Sequence, residues 1–396
     1  MMKNHNNKIF VLILMLLVPL PPGLTVIYTP AMPKMASDLF VSHTFIQLSI
    51  TSYYLTYCVS QLIWGPLSDR YGRKKTLIVS FLVLLFTSLA LAMTHSIGSL
   101  LFLRGIQGIG AACIAVNFKA LMVEKFEGES LFKVSAIING AFTLGPVIAP
   151  FIGSLLSYYF NWTAIFIFLA FYISILLLMI IFLLPETLYN QKNHSIHSVI
   201  KNYSVIFSNQ YFWRSILALG LTVSLFFSFN LFASFYFIET LKITEIQFGC
   251  LAAFVGIGCF LGAFLNRILL NFMSPEKLIL SGALTVLCSG LLLTVLIYFH
   301  STNSVILSMP SWIAALADSA IFSNLMIRLL QRFDSPKGIM SASIGVGLGM
   351  TVSIFTIILS YIHPTSLVPL ALILIILGVM IYVLTKSLSR QKSIAH

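Results

Sequence analysis

The chain has 396 residues, of which 59% are hydrophobic and only 9% are charged, and its mean hydropathy is +0.99. Soluble domains carry about 25% charged residues, so the composition excludes a soluble globular protein. The net charge of +12 is spread singly through short polar segments. Because no dense basic patch with interleaved aromatic residues is present in the sequence, the charge argues against a nucleic-acid-binding protein.

Apolar residues fall in blocks of about 20, which is the length of a helix that crosses a bilayer. Charged segments separate twelve such blocks, and they predict twelve transmembrane helices. The predicted bounds are residues 9–32, 45–64, 76–94, 98–123, 135–160, 162–184, 211–237, 248–270, 278–299, 305–328, 339–362 and 366–385. The first block is too long for the apolar core of a cleaved signal peptide, so we interpret it as an uncleaved helix.

The longest polar connection, residues 185–210, lies near the middle of the chain. We therefore predict an all-α membrane protein with two pseudo-symmetric six-helix halves. The N-terminal half covers residues 1–184, a cytoplasmic linker covers residues 185–210, and the C-terminal half covers residues 211–396. An internal repeat supports the two halves. GPLSDR (Gly65–Arg70) follows helix 2, and GAFLNR (Gly262–Arg267) ends helix 8, 197 residues later.

The distribution of Lys and Arg predicts the orientation in the membrane. With the N-terminus inside, nineteen of these residues lie in inner loops or termini, and two, Lys34 and Lys242, lie in outer loops. Because such an excess marks the cytoplasmic side, we expect both termini in the cytoplasm. The remaining two, Arg104 and Lys119, lie within predicted helix 4.

The loop between helices 2 and 3 carries the most specific motif, GPLSDRYGRKK (Gly65–Lys75). A small residue at the end of helix 2 permits close helix approach, and Asp69 followed by Arg70 and Arg73 can form a charge network between the ends of neighbouring helices. The stretch resembles the hallmark loop of the major facilitator superfamily. The residues that match its pattern are Gly65, Asp69, Arg70, Gly72, Arg73 and Lys74. The resemblance implies a transporter in which this loop acts as a conformational latch.

Two further stretches resemble the proton-linked drug exporters of that superfamily. In helix 4, LRGIQG (Leu103–Gly108) has their Arg-x-x-Gln-Gly pattern, with Arg104 and Gln107. Arg104 either influences a nearby proton-carrying group or only binds carbonyls near the outer helix end. In helix 5, GPVIAPFIG matches the antiporter motif at Gly145, Pro146, Pro150 and Gly153. The prolines permit a bend, and the glycines leave a smooth face for a partner helix.

The sequence of the helix 5 motif, together with YTPAMP at the end of helix 1, looks most like the bicyclomycin-resistance (Bcr/CflA) group. Members of that group carry an Asp two residues before the Tyr of helix 1, where this chain has Val26 in TVIYTP. The departure leaves two possibilities: either the proton site has moved, or the coupling differs.

Asp318 is the acid predicted to lie deepest in the membrane, about 20 Å from the outer end of helix 10, with Arg104 and Lys119 at about 9 and 31 Å in helix 4. Intramembrane charges are functional candidates by default. The resemblance implies that helices 1, 4, 7 and 10 line a cavity that all three could face. Asp318 is then a proton carrier, an anchor for a cationic substrate, or a structural partner of Lys119 or Arg104. Lys119 either snorkels to the cytoplasm or faces the cavity.

Other polar residues within helices are candidate substrate contacts, namely Tyr28, Asn117, Asn230 and Asn324. Glu239 and Glu245 are predicted in the outer loop after helix 7, where solvation would account for them. The five cysteines lie singly in apolar segments, so we expect no disulfide framework and no metal site. No phosphate-binding loop motif is present, so we expect no nucleotide and no other cofactor.

The sequence therefore predicts a proton-coupled exporter of small amphiphilic molecules such as drugs, acting as a monomeric, multi-pass antiporter of the bacterial inner membrane. Its expected partners are a small-molecule substrate, protons and lipid; no nucleic acid and no enzymatic activity are expected. One alternative keeps the fold and exports an endogenous anionic or zwitterionic metabolite such as a siderophore. A membrane receptor without transport is a more remote alternative.

Overall fold

The computed structural model describes residues 5–188, 203–333 and 337–390. Within these ranges the chain forms twelve long helical spans and no β-strand. The spans are α1 (His5–Leu17, Leu20–Val26 and Met32–Asp38), α2 (His43–Tyr71), α3 (Arg73–Ala92), α4 (Ile97–Lys125), α5 (Gly128–Tyr159), α6 (Trp162–Leu183), α7 (Gln210–Ser228, continued by Phe229–Ala233 and Tyr236–Thr240), α8 (Glu245–Leu269), α9 (Pro275–Tyr298), α10 (Ser304–Arg332), α11 (Lys337–Ser360) and α12 (Val368–Arg390).

Eleven of these spans are long and apolar enough to cross a membrane. The twelfth, α2, has 29 residues, which gives a length of about 43 Å, longer than the roughly 30 Å hydrocarbon core. It is less apolar because several polar side chains of its buried face, among them Gln47, Ser49 and Thr51, bind other helices. The prediction of twelve helices is therefore confirmed.

The helix ends differ from the predicted ones because apolar blocks mark the hydrocarbon core and not the whole helix. α2 continues through the polar GPLSDRY to Tyr71, and α5 begins at Gly128, seven residues before its predicted start. α10 extends to Arg332. The predicted linker over residues 185–210 lies mostly outside the described residues, which stop at 188 and resume at 203.

Proline divides α1, which was predicted as one continuous helix. Pro19, Pro21 and Pro22 lie around its first break, and Pro30 is the second residue of the 3₁₀ turn Thr29–Ala31. Since proline has no backbone N–H and its ring disfavours a helical residue before it, this group of prolines interrupts the helix hydrogen bonds of the segment. Tyr28 therefore lies on an irregular piece of backbone between Val26 and Met32.

The two groups of six helices meet mainly through α2 against α11 and α5 against α8. Both contacts are close because glycines replace larger side chains. A Cβ at Gly349 of α11 would overlap the Cys58 side chain of α2, and a Cβ at Gly249 of α8 would overlap Ser154 of α5. Large apolar side chains such as Phe86, Phe171 and Phe264, each more than 60% exposed, lie on the outer surface, as expected for a lipid-facing wall.

The two halves contact each other at one end of the bundle. We call the end that carries His43 and Glu239 the His43 end, and the opposite end, with Arg73 and Glu124, the Arg73 end. Residues 23–33 of α1 and 227–235 of α7 are all buried at the His43 end. There Gln47 of α2 donates to the Leu231 carbonyl of α7, and His43 lies 3.1 Å from Glu239. The two halves are thus closed on each other at the His43 end.

Candidate functional site

Arg104 is completely buried inside the first half. Gly108, one turn along α4, brings this helix so close to α2 that a Cβ there would overlap the Tyr53 carbonyl. The Arg104 guanidinium carbon consequently lies over two tyrosine rings, 4.5 Å from the centroid of Tyr53 and 4.7 Å from that of Tyr28. Such cation–π contacts are strongest where water is excluded, so the rings provide part of the stabilisation of this buried cation.

Arg104 has no carboxylate partner among the described residues. Its Nη1 donates to Gln107 Oε1, and the Gln107 amide donates to Ser88 Oγ of α3 at 3.0 Å. Its Nε and Nη2 make no hydrogen bond of good geometry to the described residues, although the Tyr28 hydroxyl lies close to the guanidinium. The hydroxyl of Tyr28 shares a hydrogen bond of 2.7 Å with Ser49.

Asp318 lies in a small pocket inside the second half, large enough for about one water molecule. The wall comes from α7, α8, α10 and α12, and includes Phe226, Cys259, Ser311 and Leu374. Asp318 Oδ1 and Ser311 Oγ are buried and have no hydrogen-bond partner among the described residues. Asp318 pairs with neither Arg104 nor Lys119. This conformation therefore does not support the interpretation of Asp318 as a structural ion-pair partner.

Lys119 joins the two halves. Its Nζ donates to Ser341 Oγ of α11 at 3.0 Å, and its side chain is exposed toward the Arg73 end. Of the three intramembrane charges predicted to face one cavity, the structure therefore exposes Lys119, encloses Arg104 in the first half and places the half-buried Asp318 in a small pocket of the second.

The three candidate asparagines are each engaged inside one half. The Asn117 amide donates to the Cys113 carbonyl at 3.1 Å, and Asn324 donates to Asn266 Oδ1 of α8 at 2.8 Å. Asn230 lies on the first π-helical turn of α7 and donates to the Phe226 carbonyl, while its Oδ1 has no partner among the described residues. Their predicted role as substrate contacts stays a prediction.

The loop motif forms the predicted charge network at the Arg73 end. Arg73 Nη2 lies 2.9 Å from Glu124 Oε1 of α4 and also pairs with Asp69, one helical turn before it. Glu186, just after α6, accepts backbone N–H bonds from Arg73 at 2.9 Å and Lys74 at 3.2 Å. A carboxylate at the start of α3 complements the helix dipole. The described partners belong to the first half or, for Glu186, to the first residues of the linker, so the network ties α2, α3, α4 and the chain just after α6 together.

The remaining motif residues differ in what they contact. Gly72 has φ of 100°, which requires glycine, and a Cβ there would lie 2.5 Å from Glu186 Oε2 and displace that carboxylate. A Cβ at Gly65 would meet nothing within 4 Å, so the close approach predicted there is absent from this structure. Arg70, which was predicted to share in the charge network, is exposed, and its guanidinium lies over the Tyr71 ring instead.

The second half has a counterpart of this network with the charges exchanged. In the first half the cation Arg73 begins α3 and the anion Glu124 lies near the end of α4. In the second half the anion Glu276 begins α9 and pairs with the cation Arg328 near the end of α10. Both pairs fasten the same helix ends of their half, which agrees with the internal repeat read from the sequence.

The glycines of the helix 5 motif pack α5 against the broken part of α1. A Cβ at Gly145 would lie 2.6 Å from the Pro19 carbonyl oxygen, and one at Gly153 would overlap the Ile27 carbonyl. The predicted smooth face is thus present, and its partner is α1. Pro146 and Pro150 are accommodated inside the continuous helix Gly128–Tyr159.

Comparison with known proteins identifies the family. The sequence profile of the major facilitator superfamily matches residues 23–328, more than half of the chain. The chain belongs to the major facilitator superfamily. It is therefore a multi-pass membrane transporter. The superfamily resemblance carried by the Gly65–Lys75 motif is confirmed, and so is the fold predicted from it.

Curated relatives and a solved structure agree with this assignment. The chain is 28% identical over 361 residues to the bicyclomycin resistance protein homolog of Haemophilus influenzae, covering 87% of each chain. It is 34% identical over 168 residues to multidrug resistance protein D of Escherichia coli, covering 42% of this chain and 43% of that one. The crystal structure of a D-xylose-proton symporter aligns with a TM-score of 0.74 at 14% identity, over 96% of this chain and 97% of that chain; at that identity the likeness shows the fold alone.

Several contacting residues were missed from the sequence. Glu239 and Glu245 were assigned to solvent, but Glu239 pairs with His43 at 3.1 Å, and Glu245 is the first residue of α8 with a buried Oε2. The Glu239 side chain is still 40% exposed beside His43, as the solvation interpretation expected, whereas solvation does not account for the buried Oε2 of Glu245. Glu124 and Glu186 were overlooked because the search for a network counted only the residues of the loop itself. Each is an acid at a helix end on the same side of the membrane as the basic loop, and this position could have marked both as partners of the loop.

Proposed function

We propose that this transporter is a proton-coupled exporter of small amphiphilic molecules in the bacterial cytoplasmic membrane, with the His43 end facing outward. The excess of Lys and Arg in the loops at the Arg73 end supports this orientation. The names of the relatives, one for bicyclomycin resistance and one for multidrug resistance, support export of amphiphilic compounds. The antiporter-type glycines of α5 support exchange of substrate against protons.

The observation that carries proton coupling is the unpaired carboxyl of Asp318 in its small pocket. An unpaired charge is costly in a water-poor interior, whereas a neutral carboxyl costs far less. Protonation of Asp318 therefore changes the stability of the closed pocket relative to a conformation that hydrates the carboxyl. A proton can bias the equilibrium between two conformations only through such a difference.

In the proposed cycle, substrate binds between the halves from the cytoplasm while the His43 end is closed and the Arg73 end is open. The two halves, residues 1–184 and 211–396, then rock about their α2–α11 and α5–α8 contacts, with residues 185–210 as the linker. Substrate leaves to the outside, Asp318 takes up a proton there, and the protonated carrier returns. Release of the proton to the cytoplasm resets the site. We assign the Arg73–Glu124 network the role of holding one of these states.

The test is transport by the purified full-length protein in liposomes. An inside-acid pH gradient imposed on liposomes should drive uptake of an amphiphilic probe such as ethidium or chloramphenicol, by exchange with internal protons, and addition of the probe should move protons in the absence of a gradient. Protein that neither moves any probe of a panel with the gradient nor moves protons with a probe contradicts the proposal.

A second candidate is export of an endogenous anionic or zwitterionic metabolite. The specific observation in its favour is Arg104, a buried cation without an acidic partner among the described residues. The two candidates differ in a resistance panel. Loss of the gene should sensitise cells to lipophilic drugs in the first case. In the second it should leave such resistance unchanged and lower the amount of an acidic metabolite in the medium.

A further inference from the structure

We propose that the edge of Arg104 formed by Nε and Nη2 binds a carboxylate of the transported molecule. The inference rests on the proposed export function and deepens it, because it names the chemical class of the substrate: a carboxylic acid or a zwitterion with a free carboxylate. It applies equally to a drug and to an endogenous metabolite.

The edge is defined by what occupies the rest of the guanidinium. Tyr28 and Tyr53 flank it at 4.7 and 4.5 Å, and Gln107 accepts from Nη1. Nε and Nη2 are left, and neither has a hydrogen-bond acceptor of good geometry among the described residues. These two N–H groups point in the same direction, and together they form the side-on fork that accepts both oxygens of one carboxylate.

The charge balance of the described membrane-depth residues leaves this fork without an internal anion. The buried segment 23–33 of α1, which includes Val26 and Tyr28, contains no Asp or Glu. Asp318, the acid deepest in the predicted helices, is enclosed by α7, α8, α10 and α12 of the other half. A buried charge with unmet donors is strongly destabilising unless a partner of opposite charge completes it. A substrate carboxylate completes it and thereby gains affinity from a site that is already ordered.

Two tyrosines surround this edge. Their rings flank the guanidinium, and the Tyr28 hydroxyl lies beside it, so an incoming carboxylate would displace that hydroxyl or accept a hydrogen bond from it. Tyr28 lies on the irregular segment of α1 just before the turn Thr29–Ala31. Because continuous helix hydrogen bonds do not hold this segment, it is the part of the wall that can yield when the halves move. Lys119, exposed toward the Arg73 end, provides a second cation between that end and Arg104.

The experiment measures binding to the full-length protein in lipid nanodiscs, where no pH gradient exists. The probes are ciprofloxacin, a zwitterion with a carboxylate, and its methyl ester. Wild-type protein should bind the acid roughly 10–100-fold more tightly than the ester, the range expected for charge-assisted hydrogen bonds. Arg104→Lys keeps the charge but lacks the fork, and should remove that preference while leaving the affinity for the ester unchanged. Arg70→Lys, at an exposed guanidinium beside Tyr71, is the matched control and should change neither.

Equal binding of acid and ester by the wild-type protein, or no binding of the acid, overturns the proposal, and this comparison needs no variant to fold. An Arg104→Lys protein that remains monodisperse but loses affinity for both probes equally also overturns it, because that result indicates a structural arginine. Failure of the site and failure of the export function remain distinguishable. Gradient-driven export without a carboxylate preference rejects the site alone, and a carboxylate preference without any gradient-driven movement rejects proton-coupled export alone.

Discussion

His43 Nε2 lies 3.1 Å from Glu239 Oε1, so the first residue of α2 is tied to the end of α7 across the two halves. The imidazole also stacks on Phe235 of α7, with ring centroids 4.2 Å apart. One turn deeper, Gln47 donates to the Leu231 carbonyl at 3.1 Å, and two turns deeper Thr51 shares a hydrogen bond of 2.8 Å with Thr356 of α11. One face of α2 thus closes the His43 end.

Replacing Glu239 by Gln should loosen this closure. Both side chains of the pair are exposed by a third or more, so we expect the pair to contribute at most about 1 kcal/mol. The reporter is Thr51→Cys in a protein without native cysteines, since Thr51 lies in the closed interface. Adding Glu239→Gln should raise the rate of its reaction with a membrane-impermeant thiol reagent by up to about fivefold. Lys242→Ala, at an exposed neighbouring residue, should leave the rate unchanged. An unchanged rate in Glu239→Gln would show that the pair does not hold the end closed.

Gly72→Ala should destabilise the Arg73 end. The substitution puts a side chain at φ of 100°, with its Cβ 2.5 Å from the Glu186 carboxylate that accepts from the first N–H groups of α3. A side chain forced into such a backbone conformation costs about 1–3 kcal/mol. The measurement is thermal unfolding in detergent, where the midpoint should fall by several degrees. Gly65→Ala, in the same motif but with no atom within 4 Å of the new Cβ, should be nearly neutral. Equal effects of the two substitutions would contradict the role assigned to Glu186.

Gly153→Ala should disrupt the packing of α5 on α1, because the new Cβ would overlap the Ile27 carbonyl, a backbone atom that cannot move without α1. We expect little folded protein, or a protein with displaced α1 and lost transport. Gly140→Ala on the same helix, where a Cβ meets nothing within 4 Å, is the control for helix propensity, and its retention of fold and transport is expected. Normal folding and transport in Gly153→Ala would mean that the close α1–α5 contact is dispensable.

The sequence predicted the number and order of the helices because each apolar block needs only its length and composition to be recognised. It also predicted that Asp69 and Arg73 take part in a charge network, since acidic and basic residues close together at the ends of neighbouring helices can pair. It did not predict where α2 ends, because Ser68, Asp69 and Arg70 are polar although they continue the helix beyond the apolar block.

The placement of the intramembrane charges could not be read from the sequence. Depth along a helix follows from residue number, but the direction in which a side chain points depends on the rotation of the helix, and contacts with several other helices set that rotation. Arg104 is turned toward Tyr53 because Gly108 lets α2 approach. Asp318 is turned into the pocket beside Cys259. The structure buries Arg104 completely and Asp318 partly, whereas their common cavity was an inference from the family alone.

If Asp318 carries the proton that drives export, substrate-induced proton movement in proteoliposomes depends on its carboxyl. Wild-type protein and Asp318→Asn are reconstituted with a pH indicator inside, and an amphiphilic substrate is added without a gradient. Glu129→Gln, an exposed acid of the Arg73 end whose side chain is 83% accessible, is the control. We predict substrate-induced proton movement in the wild type and in Glu129→Gln, and its loss in Asp318→Asn with substrate binding retained. If Asp318→Asn moves protons at the wild-type rate, Asp318 is not the proton carrier.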